Sequence, residues 1–289
     1  MKSGFACIYG RANAGKSTII NKRLGFKFLP VSSKPQTTRD IVHAIYNAPD
    51  YQIVFVDTPG VFRPHGKLGS ILLRDAENAK EGVDVIVYVV DANEVPDFSL
   101  ANELAKQDIP VILAFNKIDL VRVNIGRERL NRYLQVLPKA TPIELSAAEG
   151  FGIDTLLNAI KKYRPEGDLI FPTDIVSDRP KEYVISERIR EKCRRLLEKE
   201  VPHSIAIDVK HVDMDSTPME IYGDIIVEKE SEKAIVIGKN GKRISQISKF
   251  SEETISAYFG APCYVSLQVK CVPDWRNSDK YLKKFGYEE

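Results

Sequence analysis

The octapeptide Gly10-Arg11-Ala12-Asn13-Ala14-Gly15-Lys16-Ser17 has the spacing Gly-x-x-x-x-Gly-Lys-Ser, and its residue types suit a nucleoside triphosphate. Glycines let backbone N–H groups converge on phosphate, a following helix N-terminus favours the anion, and the Lys16 ammonium reaches the β- and γ-phosphates. Ser17 can give its hydroxyl to Mg²⁺, and Asn13, Ala14, Gly15 and Thr18 complete the cradle. Pro35-Gln36-Thr37-Thr38-Arg39 follows in a stretch without clear periodicity. A threonine there can close the Mg²⁺ shell when the γ-phosphate is present. Thr38 is taken as that ligand, with Thr37 left as the alternative. Asp57-Thr58-Pro59-Gly60 caps an apolar run; Asp57 is placed to hold the Mg²⁺ water shell, and the Gly60 amide to reach the γ-phosphate. An ordinary strand-to-loop turn would use the same Pro-Gly; its position after the phosphate loop favours the nucleotide role. Lys16, Thr38 and Gly60 are the candidate catalytic groups for phosphate release. Asn116-Lys117-Ile118-Asp119 sets the base: an aspartate carboxylate accepts the N1 and N2 protons of guanine together, and adenine offers no such pair. In Ser146-Ala147-Ala148 a backbone amide can bind guanine O6.

These groups need strand ends to carry them. Apolar runs at Phe5–Tyr9, Ile53–Asp57, Val83–Asp91, Val111–Asn116 and Pro142–Leu145 predict strands, all but Val83–Asp91 ending at or next to one of these motifs. Between them, amphipathic stretches near Ser70–Glu81, Asp97–Gln107, Gly126–Val136 and Ile153–Tyr163 predict helices. Continuous rather than alternating hydrophobicity implies burial on both faces, hence a doubly wound, mostly parallel α/β sheet. Ile41–Asn47 and Ile53–Asp57 lie a hairpin loop apart, which predicts one antiparallel edge strand.

The chain of 289 residues suits two domains. We read residues 1–164 as the nucleotide domain, 165–180 (with prolines at 165, 172 and 180) as a linker, and 181–289 as a smaller α+β domain with a C-terminal tail. The net charge of +2 gives no general attraction to nucleic acid. Local charge is uneven: 233–249 carries five Lys/Arg and no Asp/Glu, and 188–199 carries six basic residues against two acidic. On composition alone, such runs read as solvated helix faces. No run of about 18 apolar residues would span a membrane. The chain enters a strand at once, so no signal peptide is expected. The cysteines (Cys7, Cys193, Cys263, Cys271) lack Cys-x-x-Cys spacing, and the four histidines lack zinc-like pairing. Buried thiols in a reducing cytoplasm are expected.

In the second domain the predicted order is helix, two strands, a short apolar turn, Gly238-Lys239-Asn240-Gly241, helix, strand. Two glycines flanking two polar residues let the chain approach a sugar-phosphate backbone. Lys239, Lys242 and Arg243 supply charge, and Ile235, Ile237, Ile244 and Ile247 offer an apolar groove for bases. This is how a KH module clamps single-stranded nucleotides. A tight helix–helix turn could carry the same tetrad; the order of elements is the more specific signal, and it matches the type II KH arrangement.

The nucleotide motifs together resemble those of Ras-like GTPases of the translation-factor class. With the KH arrangement and the end Pro273-Asp274-Trp275 to Phe285-Gly286-Tyr287, nearly the whole chain resembles the Era family. The resemblance implies a cytoplasmic, Mg²⁺-dependent GTPase that cycles between GTP and GDP and assists small ribosomal subunit assembly. It implies a KH domain that binds the 3′ end of the small-subunit rRNA through Ile237 to Arg243, and peripheral association with the inner face of the cell membrane. A monomer is expected. An alternative is an RNA-binding assembly factor with GTP as a structural ligand and negligible turnover. Val61 and Phe62 keep that alternative open, because no glutamine follows Gly60 to orient water as in Ras, and slow turnover is expected. Asn13 has two readings: a ligand for K⁺ beside the phosphates, as in a subset of similar GTPases, or a residue that only satisfies the loop backbone. Ala12 and Ala14 stand where the family more often has proline and valine, and Lys22 and Arg23 where its helices often carry leucine.

Overall fold

The computed structural model describes residues 2–31, 38–61, 64, 66–198 and 200–287. The chain divides into two compact units, Met1–Arg63 with Leu72–Asp178, and Pro64–Ile71 with Arg179–Glu289. In chain order the elements up to residue 162 are β1 (Lys2–Tyr9), α1 (Lys16–Leu24), β2 (Val42–Ala48), β3 (Tyr51–Asp57), α2 (Gly66–Asn78), β4 (Val85–Asp91), α3 (Ser99–Leu104), β5 (Val111–Asn116), α4 (Val123–Val136), β6 (Thr141–Glu144) and α5 (Ile153–Lys162).

The first unit holds a six-stranded sheet of order β2-β3-β1-β4-β5-β6, in which only β2 is antiparallel to its neighbour. The expected edge strand and doubly wound topology are both present. Residues 85–90 of β4 and all of β5 are buried, as continuous apolar runs require when both faces are covered. Ile153, Leu156, Leu157 and Ile160 form the buried stripe of α5, at the spacing of a helix that packs one side on a sheet. Register brings the carboxyl ends of the parallel strands together: Ile8 pairs with Asp57, Tyr9 with Tyr88, and Asp91 with Asn116. Loops leaving that edge carry the candidate site, where ligands of open α/β sheets bind.

The stretch expected as a linker is laid along β2 and β3. The Ile45 amide donates to the Val176 carbonyl (2.9 Å). The Gln52 side chain accepts from the Ile170 and Phe171 amides (3.0 Å each) and donates to the Phe171 carbonyl (2.8 Å). Prolines bar regular structure there, and the backbone polar groups find partners on the sheet edge instead.

The second unit contains α6 (Lys181–Leu196), α7 (Val201–Ser204), β7 (Ala206–Asp213), β8 (Met219–Val227), α8 (Glu230–Ile237), a 3₁₀ turn (Lys239–Gly241), α9 (Lys242–Phe259), β9 (Cys263–Cys271), a second 3₁₀ turn (Trp275–Asn277) and α10 (Asp279–Lys284). β8 pairs antiparallel with β7 and parallel with β9. Ile185, Ile189, Ile221, Ile225, Ile247 and Val265 build its core. Trp275 is fully buried, donates from Nε1 to the Ser204 carbonyl (2.8 Å) and meets the Phe285 ring edge-on (5.4 Å), so the C-terminal tail is part of the fold. The basic run on α6 departs from the sequence expectation. Arg188, Arg190, Lys192 and Arg194 are buried rather than solvated, and Arg190 pairs with Glu187 one turn earlier. Arg190 and Arg194 are covered whole, charged ends included, which composition does not foresee.

Cys7 and Cys193 are fully buried, and burial pushes both thiols up to about 12. Cys263 and Cys271 are partly exposed. Titration with Ellman's reagent is therefore expected to find two reactive thiols in the native protein and all four after denaturation. Fast reaction of four thiols in the native protein would contradict this packing.

Candidate nucleotide site and nucleic-acid interface

The phosphate loop leaves β1 at Gly10 and enters α1 at Lys16, as its sequence predicts. Two loop glycines are sterically required: a Cβ on Gly10 would lie 2.4 Å from the Val89 carbonyl oxygen, and one on Gly15 would lie 2.2 Å from Asn116 Nδ2. Lys16 is buried, and its ammonium donates to the carbonyls of Gly10 (3.1 Å) and Arg11 (3.0 Å), which fold it back over the loop. Asn13 sits exposed on the loop in a left-handed conformation (φ 64°). Ala14 is buried beneath it. Ala12 is where Gly60 docks: a Cβ on Gly60 would lie 2.6 Å from Ala12 Cα, and the Val61 amide donates to the Gly10 carbonyl (3.1 Å). Val61 is half-buried against the sheet core. Position 61 therefore brings no polar side chain that could orient water.

Ser17, Thr38 and Asp57 converge although their segments are distant in sequence. Ser17 Oγ donates to Asp57 Oδ2 (3.0 Å), Thr38 Oγ1 donates to the same oxygen (3.1 Å), and the two hydroxyls are 3.2 Å apart. Thr37 lies outside the described residues, as do Pro35 and Gln36 of the same tract. Asp57 Oδ1 is buried and accepts no hydrogen bond among the described residues. An orphaned carboxylate oxygen beside two hydroxyls is an all-oxygen donor set that fits Mg²⁺ with retained water.

Burial pushes the Asp57 carboxyl up to about 6, against the opposing pull of Lys16 and its hydroxyl donors. Burial likewise lowers Lys16 to about 8. Only ionised Asp57 can serve a cation, and ionisation is lost as pH falls through about 6. Mg²⁺-dependent GTP binding is therefore expected to weaken about tenfold per pH unit below that point. Asp57→Asn should flatten this dependence in a fluorescent-nucleotide titration. An unchanged slope in the variant would assign the titration to another group.

At the base end, Asn116 joins three motifs. Its Nδ2 donates to the Ala14 carbonyl (2.8 Å), and its Oδ1 accepts the Ala147 amide (3.0 Å). The Ala147 N–H is thus engaged in holding Ser146-Ala147-Ala148 against β5. Lys117 adopts a left-handed conformation (φ 64°), and its Nζ pairs with Asp91 Oδ2 (2.5 Å). Asp119 stands exposed in the 3₁₀ turn Ile118–Leu120.

Sequence reasoning missed four supporting residues: Asn21, Lys22, Arg23 and Asp91. Asn21 accepts the amides of Phe28 (2.9 Å) and Leu29 (2.7 Å) and donates to the Leu29 carbonyl (2.8 Å), fixing the chain before the threonine loop. Lys22 donates to the Ala148 carbonyl (3.2 Å), and Arg23 stacks on Tyr46 of β2 (4.1 Å), so the two polar residues at leucine-like positions tie α1 to the Ser146–Ala148 loop and to the edge strand. Asp91 was signalled only by its place at the end of an apolar run, without a motif such as the one that marks Asp57.

In the second unit, Gly238 (φ 72°), Asn240 (φ 53°) and Gly241 (φ 73°) all take positive φ, and the turn between α8 and α9 depends on them. A Cβ on Gly238 would lie 2.7 Å from Arg243 Cβ, whereas Gly241 faces open space. Lys239, Asn240 and Lys242 are exposed or half-exposed. Ile235 is exposed, and Ile237 and Ile244 are half-buried beside the turn. Ile247, expected in the groove, is instead fully buried in the core. It lies on the face of α9 that carries Ser251 and Ile255, at successive four-residue steps.

Fold and site together define a Ras-like phosphate-loop GTPase joined to a KH module. Residues 5–117 match the family described as 50S ribosome-binding GTPase, and residues 187–276 match the KH domain family. GTPase Era of Clostridium kluyveri is 39% identical over 292 residues, covering all of both chains, and GTPase Era of Staphylococcus haemolyticus is 37% identical, covering all of this chain and 98% of its own. A variant of Aquifex aeolicus Era bound to GDP·AlF₄⁻ superposes with a TM-score of 0.92 at 35% identity and full coverage of both chains. Era in complex with MgGDPNP and nucleotides 1506–1542 of 16S rRNA gives 0.92 at 36% identity, again with full coverage. The chain belongs to the Era family of GTPases.

Proposed function

We propose that this chain is a Mg²⁺-dependent switch that binds and hydrolyses GTP, binds the single-stranded 3′ end of the small-subunit rRNA, and assists assembly of the small ribosomal subunit. The observation that carries the reading is the meeting of Ser17 and Thr38 on Asp57, whose second oxygen is left for a cation. Bound Mg²⁺ would neutralise charge that develops on the phosphates during hydrolysis. The chain's own residues do the rest. Lys16 holds the β- and γ-phosphates, Gly60 allows its loop to lie against Ala12, and Asn116, Lys117, Asp119 and the Ser146–Ala147 loop hold guanine. Gly238 to Arg243, with Ile237, form the RNA clamp. The likeness to an Era bound to MgGDPNP and a 16S rRNA fragment supports both ligands.

Fusion of the two modules in one chain motivates coupling: ordering of Thr38 and Gly60 by GTP would change RNA affinity, and RNA would change nucleotide affinity by the same factor. The test is multiple-turnover hydrolysis with and without a short single-stranded RNA matching the rRNA 3′ end, in K⁺ and in Na⁺, with ATP as control. RNA-stimulated turnover confined to GTP supports the reading. Tight GTP binding without turnover would favour GTP as a structural ligand, and equal RNA affinity of the GTP and GDP forms would remove the coupling. Loss of rate in Na⁺ would assign Asn13 to a K⁺ site. The reading includes a cytoplasmic monomer with peripheral membrane association; sedimentation and vesicle binding check both. Among the described residues no helix is long and apolar enough to cross a membrane.

A further inference from the structure

We infer that Asp91 is a positioning residue for nucleotide binding: its buried carboxylate holds the Lys117 ammonium so that the lysine's hydrocarbon stem is fixed at the base site. This rests on the reading of Lys117 as a base-contacting residue. Asp91 ends β4 after six buried apolar residues, and sheet register sets it beside Asn116, one residue before Lys117. Its side chain is 8% exposed, against 30% for Lys117. Both oxygens are used: Oδ2 pairs with Lys117 Nζ (2.5 Å), and Oδ1 accepts the Asn93 amide (2.9 Å), which fixes the carboxylate plane.

The pair is not needed to join the two strand ends. Backbone groups do that, through the β4–β5 ladder and the Ala92 amide on the Asn116 carbonyl (2.8 Å). What the carboxylate adds is a fixed position for a long, flexible side chain. Lys117 otherwise has four rotatable bonds and a left-handed backbone that a non-glycine residue adopts only under constraint. With the ammonium neutralised at Asp91, the charge is not drawn to the phosphates, and the stem offers apolar surface to a base. A side chain fixed before binding loses less freedom when the ligand arrives. Asp91 thus acts through Lys117, without touching nucleotide itself.

The test uses the full-length protein and a fluorescent GDP. Asp91→Asn keeps size and the Asn93 contact but removes the charge, and is expected to raise the GDP dissociation rate about tenfold. Its effect on GTP turnover should fall on KM rather than kcat, a split that a general loss of structure would not produce. Asp91→Glu should recover part of the loss, and thermal melting checks that each variant folds. Lys117→Ala is expected to lose about as much, and the double variant no more than Lys117→Ala alone, because the two residues act as one unit. A wild-type dissociation rate for Asp91→Asn would overturn the inference, as would multiplication of the two losses in the double variant. A wild-type rate for Lys117→Ala would instead overturn the base-site reading of Lys117 itself.

Discussion

Asp119→Asn is expected to lower GTP affinity by roughly 10⁴-fold and to turn the site toward xanthosine triphosphate. The Asp119 carboxylate presents two acceptors to the N1 and N2 protons of guanine. An asparagine presents one acceptor and one donor, so guanine's exocyclic amine faces a like group and both lose their hydrogen bond. Xanthine carries a carbonyl at that position and matches the amide. The cost is large because both groups are desolvated in the bound state, where an unpaired polar group is expensive. The fold should be spared: Asp119 is exposed in a short 3₁₀ turn, where substitutions change stability little. Competition of GTP, xanthosine triphosphate and ATP against a fluorescent guanine nucleotide measures the switch. Retained preference for guanine would place base recognition elsewhere.

The second large effect is expected at the Gly-Lys-Asn-Gly turn. Gly238→Asp/Gly241→Asp should reduce affinity for single-stranded RNA at least about 100-fold, since two carboxylates would stand where phosphates must pass beside Lys239, Lys242 and Arg243. The two sites differ in a useful way. A side chain at Gly238 meets Arg243 at 2.7 Å, while one at Gly241 meets nothing within 4 Å. Gly241→Asp alone therefore isolates charge from collision, at a cost of about 1–2 kcal/mol for its positive φ. It should weaken RNA about tenfold or more and leave GTP binding intact. Fluorescence anisotropy with a labelled oligonucleotide decides the matter. Normal RNA affinity in the double variant would reduce the KH unit to a docking fold.

The nucleotide motifs were legible before folding because each is a contiguous run whose chemistry depends on its own residue types. The strands that carry them were legible because both-face burial leaves unbroken apolar runs, as in Val85–Val90. Helix ends were less so. The apolar turn expected at Ala234–Ile237 is the last part of α8, which begins at Glu230, because the Glu232 carboxylate accepts the Glu228 (3.0 Å) and Lys229 (3.3 Å) amides and starts the helix in a stretch with little apolar content. In the expected linker, prolines announce irregular backbone but not where it lies, since the partners of residues 170, 171 and 176 are on strands more than a hundred residues earlier.

By itself, the sequence determined the class of chemistry: which residue types bind phosphate, cation, guanine and RNA, and in what order the chain presents them. Contiguous motifs suffice for that, since their groups are delivered together by one loop. Only the tertiary structure decided which separate loops meet. It joined Thr38 to Ser17 on one oxygen of Asp57, used Asn116 to tie the phosphate loop to Ala147, and gave Lys117 its partner in Asp91 across two strands. It also sent Ile247 to the core and left Ile235 outside. Those outcomes depend on strand register and on which side of a helix is covered, and both are set by packing between segments far apart in the chain.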